Sequence, residues 1–566
     1  MGWASDPVNC PGEFPTTFLY GNFHKPPSGG FFFAAALAPE PRMRNFAAMQ
    51  NLIDRSKAET TATAPAGVAT HAWTVGVGVL LALPWLNPFA PGPSPSAVPL
   101  LFSWICAGLA LLALTLRGPD ARGADPLRAL AQGWMLAAVF NALIGLLQYT
   151  GASAHGGVWL NQTGPGEAFG NLRQRNQYAT LMAIGLASAL WWARQTATRL
   201  IALWMAVLAA VMGVGSAASS SRTGLLQWGL LAFITLFWLR GTDDRVRGRR
   251  VSWVVLSALL AYGLAMLVLP WLIGRDPLQA NALARLQAGD TLCASRLTLW
   301  RNVLHLISLR PWTGWGWGEL DYAHFITLYS GPRFCDILDN AHNLPLQLAV
   351  ELGLPTALLL CGAAGWLIWR ARPWREACIH RQLAWAVLAV IGLHSLLEYP
   401  LWYGPFQIAA LASLSLLCWP AWRVVLARWP RRPAMLRQTA RLLALLTMLV
   451  CATAAWDYRV ASQIYLPPEQ RAADYRDDTL ARSQGIWLYT DQLRFAELTT
   501  ADLNPGNATR VRSLALQMLH FSPEARVVRL LLESDRLLGR TDELAFYAAR
   551  FKAAFPADYA RWQSPP

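Results

Sequence analysis

Charge is what this chain of 566 residues has least of. Asp, Glu, Lys and Arg make up 14% of it, against about a quarter in soluble globular domains, and 54% of its residues are hydrophobic. An ordinary soluble enzyme is excluded, and an integral membrane protein is indicated. The chain also lacks a P-loop and any HExxH, GxSxG or DxD sequence. A nucleotide-driven pump, a zinc protease, a serine hydrolase and a metal-dependent glycosyltransferase therefore lose support. Asp477-Asp478 is a weak metal signal on its own. None of the eight cysteines stands in CxxC or another metal-ligand spacing.

The first 70 residues show neither helical periodicity nor a spanning run. Rich in Pro, Gly, Ala and Thr, they read as a disordered extension. The short apolar run Phe31 to Leu37 has neither the length nor the basic flank of a signal peptide. Met43 and Met49 offer alternative translation starts.

Apolar runs long enough to cross about 30 Å of hydrocarbon follow at 72–90, 98–116, 128–150, 177–193, 200–218, 224–239, 251–273, 344–369, 382–402, 405–422 and 441–456. The pattern predicts an all-α polytopic membrane protein with about eleven transmembrane helices. The net charge of +15 is spread in short clusters between these runs, which suits topology signals better than a nucleic-acid stripe. Arg117/Arg122, Arg194/Arg199, the group Arg240 to Arg250, the group Arg370 to Arg381 and the group Arg423 to Arg437 occupy alternate connections. Those connections are assigned to the cytoplasm. The long loop at about 274–343 and everything after Trp456 then share the outer compartment. Residues 71–456 form the membrane domain, and 457–566 form a small helical domain, possibly repeat-like. Its helices are signalled by apolar spacing around Val511 to Leu519 and Val527 to Leu538.

Arginine on the outer side runs against the charge rule. Arg173 and Arg175 stand at the mouth of the fourth span, Arg222 lies between the fifth and sixth, and Arg296 and Arg301 lie in the long loop near one helical face. A guanidinium binds phosphate well because its planar fork donates several hydrogen bonds and stays charged; snorkelling to lipid headgroups is the alternative. Pro311-Trp312-Thr313-Gly314-Trp315-Gly316-Trp317-Gly318 alternates tight-turning glycine with flat rings, which suit sugar faces or an interfacial belt. His342, in Asp339-Asn340-Ala341-His342-Asn343-Leu344-Pro345 where the loop meets a new apolar run, is the candidate base. Glu398, at the outer end of the ninth span, is costly at that depth unless it orients a partner or substrate, or pairs two spans.

The blocks Asn171-Leu172-Arg173-Gln174-Arg175-Asn176, Ser221-Arg222, Ser295-Arg296 with Trp300, Pro311 to Gly318, Asn340 to Gly353, and His394-Ser395-Leu396-Leu397-Glu398-Tyr399-Pro400-Leu401-Trp402-Tyr403 resemble the bacterial O-oligosaccharyltransferases that glycosylate pilins. That group sits within the superfamily of O-antigen ligases and polymerases, and the likeness runs from about residue 72 to the C-terminus. It implies a GT-C-like transferase of the bacterial inner membrane with its active site and C-terminal domain in the periplasm. Such an enzyme moves a preassembled oligosaccharide from undecaprenyl pyrophosphate to a serine or threonine hydroxyl of a protein such as type IV pilin. It uses neither metal nor nucleotide cofactor, and no nucleic acid. His342 takes the catalytic histidine position. Arg222 and Arg296 would hold the pyrophosphate, with Arg173 at the rim, and Asn176, Arg301, Glu398 and Tyr403 would support the site. The long N-terminal extension departs from the pattern, as does Arg175 where a neutral residue is expected. In an oxidising periplasm Cys293 and Cys335, which share the loop, are expected to pair, at a cost of roughly 4 kcal/mol to the unfolded chain. Two other readings keep the arginines. One is an O-antigen ligase or polymerase with a glycan hydroxyl as acceptor; the other is a lipid or polysaccharide transporter, which would lead one to expect paired halves.

Overall fold

In the computed structural model the described residues are 64–116, 125–196, 198–240, 244–277, 293–427 and 432–564. Among them there are helices and connections and no β-strand. Eleven long helices account for the apolar runs. They are α1 (Ala64–Leu86), α2 (Ala97–Leu116), α3 (Pro126–Tyr149), α4 (Arg175–Gln195), α5 (Arg199–Ala218), α6 (Arg222–Leu239) and α7 (Arg245–Leu272), then, after two loop helices, α8 (Arg296–Leu309) and α9 (Leu320–Ile326), α10 (Leu344–Ala371), α11 (Ile379–Ser395), α12 (Gly404–Ala427) and α13 (Arg432–Gln463). Seven of the eleven, namely α2, α3, α5, α6, α7, α10 and α13, are long and apolar enough to cross a membrane, and α1 and α12 carry shorter apolar stretches.

The helix at the centre of the bundle, α4, is in neither set. It packs against α3, α5, α6, α7 and α11, and every residue from Gln177 to Trp191 is buried. Enclosed by protein on all sides, it has no need of a lipid-like composition. It can therefore carry Gln177, Thr180 and Ser188 into the interior. Close approach of α5 to α7 depends on Gly213, where a Cβ would lie 2.6 Å from the Ala258 carbonyl oxygen.

The connection before α4 is held by two buried amides of α3. Asn141 accepts from the Asn171 N–H at 2.9 Å, and Gln148 accepts from the Gly170 N–H at 2.7 Å while donating to the Asn161 and Gly170 carbonyls. These bonds set the start of α4. At the same end of the bundle, the long loop packs its own small core of Leu299, Val303, Leu306, Leu320, Phe334 and Leu338 against Ala349 and Val350 of α10. The structure joins Cys293 to Cys335, with Cα atoms 5.2 Å apart.

Helix α10 is broken at Gly353, whose φ of 81° is left-handed. The break lets the loop dock on exposed helix ends: Trp315 N–H donates to the Val350 carbonyl and Gly316 N–H to that of Glu351, while Leu354 N–H donates to Pro311. A Cβ at Gly353 would lie 2.3 Å from the Trp312 carbonyl oxygen, so only glycine fits there.

After α13 come the short helix α14 (Thr479–Arg482) and then α15 (Thr490–Thr499), α16 (Ala508–Leu519), α17 (Ala525–Leu537), α18 (Thr541–Ala554) and α19 (Pro556–Gln563). Successive members of the run α15 to α19 pack on one another around Val511, Ala515, Met518, Val527, Leu531 and Phe551. Phe325 of α9 inserts into this core, Tyr322 stacks on His520 at 3.8 Å, and Arg550 Nε donates to the Ile326 carbonyl at 2.7 Å.

Three expectations are adjusted. The extension read as residues 1–70 lies outside the described residues up to 63, and 64–70 already belong to α1. The ninth span stops at Ser395 and does not run on to 402; Pro400 has no N–H to give the Leu396 carbonyl, and its ring would clash with it in a continued helix. Arg296 and Arg301 do not share a face: five residues on an α-helix turn through roughly 140°, and Arg301 is exposed.

Candidate active site

Four helices begin at the loop end of the bundle, and one carboxylate ties all four together. Arg296 opens α8 after its N-cap Ser295, which accepts from the Thr298 N–H at 3.2 Å. Arg222 opens α6 after Ser221, which accepts from Gly224 N–H at 3.0 Å. Asn343 caps α10 by accepting from Leu346 N–H at 3.0 Å, and Arg175 opens α4.

Glu398, in the connection after α11, accepts from His342 Nδ1 at 2.6 Å through Oε2. Through Oε1 it accepts from Asn176 Nδ2 at 3.1 Å and pairs with Arg296. Asn176 in turn accepts from the Ser221 hydroxyl at 2.6 Å, and Asn343 Nδ2 donates to the Leu396 carbonyl at 2.9 Å. The positive ends of α4, α6, α8 and α10 are thereby brought around one place.

His342 is held in an uncommon backbone conformation, with φ of 50°. Asn340 Oδ1 takes its N–H at 2.8 Å, Gln347 Oε1 takes the Ala341 N–H at 2.6 Å, and Trp300 Nε1 donates to the Ala341 carbonyl at 3.0 Å. These bonds keep a non-glycine residue in the left-handed region and fix the direction of its side chain. The ring of Tyr399 meets the imidazole edge-on at 5.0 Å. The His342 side chain is 27% exposed and that of Glu398 only 7%, so the imidazole is reachable and its partner is not.

Burial alone would raise the Glu398 carboxyl. The hydrogen bond from His342 and the neighbouring Arg296 guanidinium outweigh it and hold the group below the ordinary carboxylate range. Because an ionised carboxylate only accepts, Nδ1 of His342 carries the proton of their bond, which leaves the Nε2 lone pair as the basic site.

Of the expected site residues, His342, Arg296, Glu398 and Asn176 meet directly. Arg222 adjoins them through Ser221. Tyr403 stacks on Tyr399 at 5.9 Å and so supports the imidazole at one remove. Arg173 donates to the Pro88 carbonyl, at the α1–α2 connection, and Arg301 has no contact with the group. Arg175 pairs with Glu167 at 3.1 Å. Sequence reasoning passed over the caps Ser221 and Asn343, although each is a small polar residue directly before an apolar helix. It also passed over Tyr399 and Trp402, which carry no signal beyond their place beside Glu398. Among the described residues no group of three or more His, Cys, Asp or Glu side chains is arranged to hold a metal ion.

Three segments of the chain match known families. Residues 207–361 match the family described as O-Antigen ligase, 168–193 match Protein glycosylation ligase, and 382–566 match Virulence factor membrane-bound polymerase, C-terminal. Over these segments the chain is similar to O-antigen ligases and to protein glycosylation ligases. Among curated proteins it is similar to a General O-oligosaccharyltransferase of Acinetobacter baylyi, 25% identical over 296 residues. That similarity covers 48% of this chain and 47% of the relative, so the chain spans about half the length of the curated relative it matches.

Proposed function

We propose that the chain is a protein O-oligosaccharyltransferase, moving a preassembled glycan from undecaprenyl pyrophosphate to a serine or threonine hydroxyl of a periplasmic protein such as pilin. The observation that carries this reading is the His342–Glu398–Arg296 group set among four helix N-termini. An alcohol is a poor nucleophile near neutral pH, and an imidazole with a free Nε2 can accept its proton as oxygen attacks the anomeric carbon. The bond from that carbon to the pyrophosphate oxygen breaks, and the pyrophosphate leaves with the electron pair.

Its charge is met by Arg296, by Arg222 and by the N-terminal ends of α6, α8 and α10. Arg296 spends one of its five N–H groups on Glu398 and has the rest for the anion. Arg173 lies further out, at the rim. On this reading the arginine-rich connections at the opposite end of the bundle are the cytoplasmic ones, in line with the positive-inside rule, and this end and the C-terminal helices face the periplasm.

Full-length protein in detergent, given lipid-linked oligosaccharide and a pilin acceptor, is expected to add the intact glycan mass to one acceptor peptide. No addition, with folded protein present, contradicts the proposal. A second reading is favoured by the O-Antigen ligase match: the acceptor is a glycan hydroxyl. A deletion strain separates the two, since pilin loses mass in the first case and the lipopolysaccharide ladder changes in the second.

A further inference from the structure

Two of the three rings in the tryptophan–glycine alternation of the long loop, Trp315 and Trp317, have different fates. Trp315 turns inward: its Nε1 donates to the Leu306 carbonyl at 3.0 Å, and Arg310 lies over its face at 4.2 Å. Trp317 turns outward and is 65% exposed. Its backbone is nonetheless fixed, because Gly316 N–H donates to the Glu351 carbonyl at 3.0 Å and Gly318 N–H to Glu351 Oε1 at 2.9 Å. A large exposed ring on a rigid loop is costly to leave in water.

It is not alone there. Trp317 stacks on Trp402, with centroids 6.3 Å apart and planes within 9° of parallel. Trp402 meets Tyr399 at 6.4 Å, and Tyr399 meets His342. Trp402 and Tyr399 also line the cleft at Glu398, whose hydrogen-bonding partners Arg296 and His342 are each 27% exposed. Flat rings beside hydrogen-bonding groups are what a pyranose needs, since its C–H face stacks and its hydroxyls require partners.

We infer that Trp317 and Trp402 form a stacking platform for a sugar ring of the lipid-linked glycan, next to the ring whose anomeric carbon reacts. The inference rests on the transferase reading for its donor, and binding tests it separately from turnover. The probes are undecaprenyl pyrophosphate carrying an N-acetylhexosamine disaccharide and the same carrier without sugar, each titrated into full-length protein in nanodiscs. Trp317→Ala is expected to weaken the disaccharide carrier about tenfold, the value of one lost stacking contact. Binding of the bare carrier is expected to stay unchanged, and Trp317→Phe to recover most of the loss. In transfer assays the same variant raises KM and leaves kcat within about twofold. Equal weakening of both carriers would make the pair a lipid-interface contact, and no change in either would remove its role; both outcomes overturn the proposal. If the wild type binds the disaccharide carrier in this Trp317-dependent way yet transfers nothing, the platform stands and the transferase reading falls.

Discussion

His342 and Glu398 stand 56 residues apart in the chain and share a 2.6 Å hydrogen bond. The bond joins the start of α10 to the turn after α11, and it fixes which imidazole nitrogen is left to act. Glu398 is a positioning residue on this account. Glu398→Gln is expected to lower transfer about a hundredfold and to destabilise the protein by about 2 kcal/mol, as Arg296 loses its anion. The carboxyl is held below its ordinary range, so its contribution is present above the unfolded value near 4.3 and is lost as pH falls through the lower folded value. The melting-temperature gap between wild type and variant should therefore be full at pH 7 and close under strong acid. A gap independent of pH would contradict the pairing.

Arg222 and Arg296 are expected to act on the donor and not on the acceptor. Arg296→Ala and Arg222→Ala should each weaken binding of lipid-linked oligosaccharide tenfold or more, roughly the cost of one lost charged contact. Acceptor KM should stay the same. Lysine at either position should recover part of the affinity, since it restores charge without the fork. Titration of donor and acceptor in parallel checks both halves.

The membrane architecture was legible where lipid contact dictates composition, as in α2, α5, α7 and α10. It was legible at α4 only as a run of length, because a helix wrapped by protein has no lipid-facing composition to reveal that it is central. Of the site, His342 and the arginines could be picked out by residue type and by their place against the charge rule. Their convergence on Glu398 could not, since it depends on α11 stopping at Ser395 and on the connection turning Glu398 back toward α8 and α10. Arg301 shows the converse: read as lying near the helical face of Arg296, it is carried to another face by helical phase.

The bond between Cys293 and Cys335 closes the loop three residues before Arg296 and seven before His342. Cys335→Ser, or reductant applied to wild type, is expected to cost roughly 4 kcal/mol and to lower transfer by loosening both arms of the site. Thermal melts with and without reductant measure the first effect. A variant as stable as wild type would show that the packing around Phe334 suffices.

Asp321, in the loop helix α9, is raised to about 7, first by burial and then by the charges of Glu319 and Asp339. An acid raised in the folded state destabilises it as pH climbs from the unfolded value toward the folded one, and most at pH above both. Asp321→Asn keeps an acceptor for the Tyr322 N–H, which Asp321 receives at 2.7 Å. It should stabilise the protein at pH 8 by on the order of a few kcal/mol and make no difference at pH 3.5. Melting curves at the two pH values test the sign.

The central claim, that His342 takes the acceptor proton, is tested most directly by the single-turnover rate of His342→Ala with donor prebound and acceptor saturating. The account predicts a fall of at least about a hundredfold in that rate, with donor affinity within about twofold of wild type. A rate close to wild type with the donor bound would contradict it.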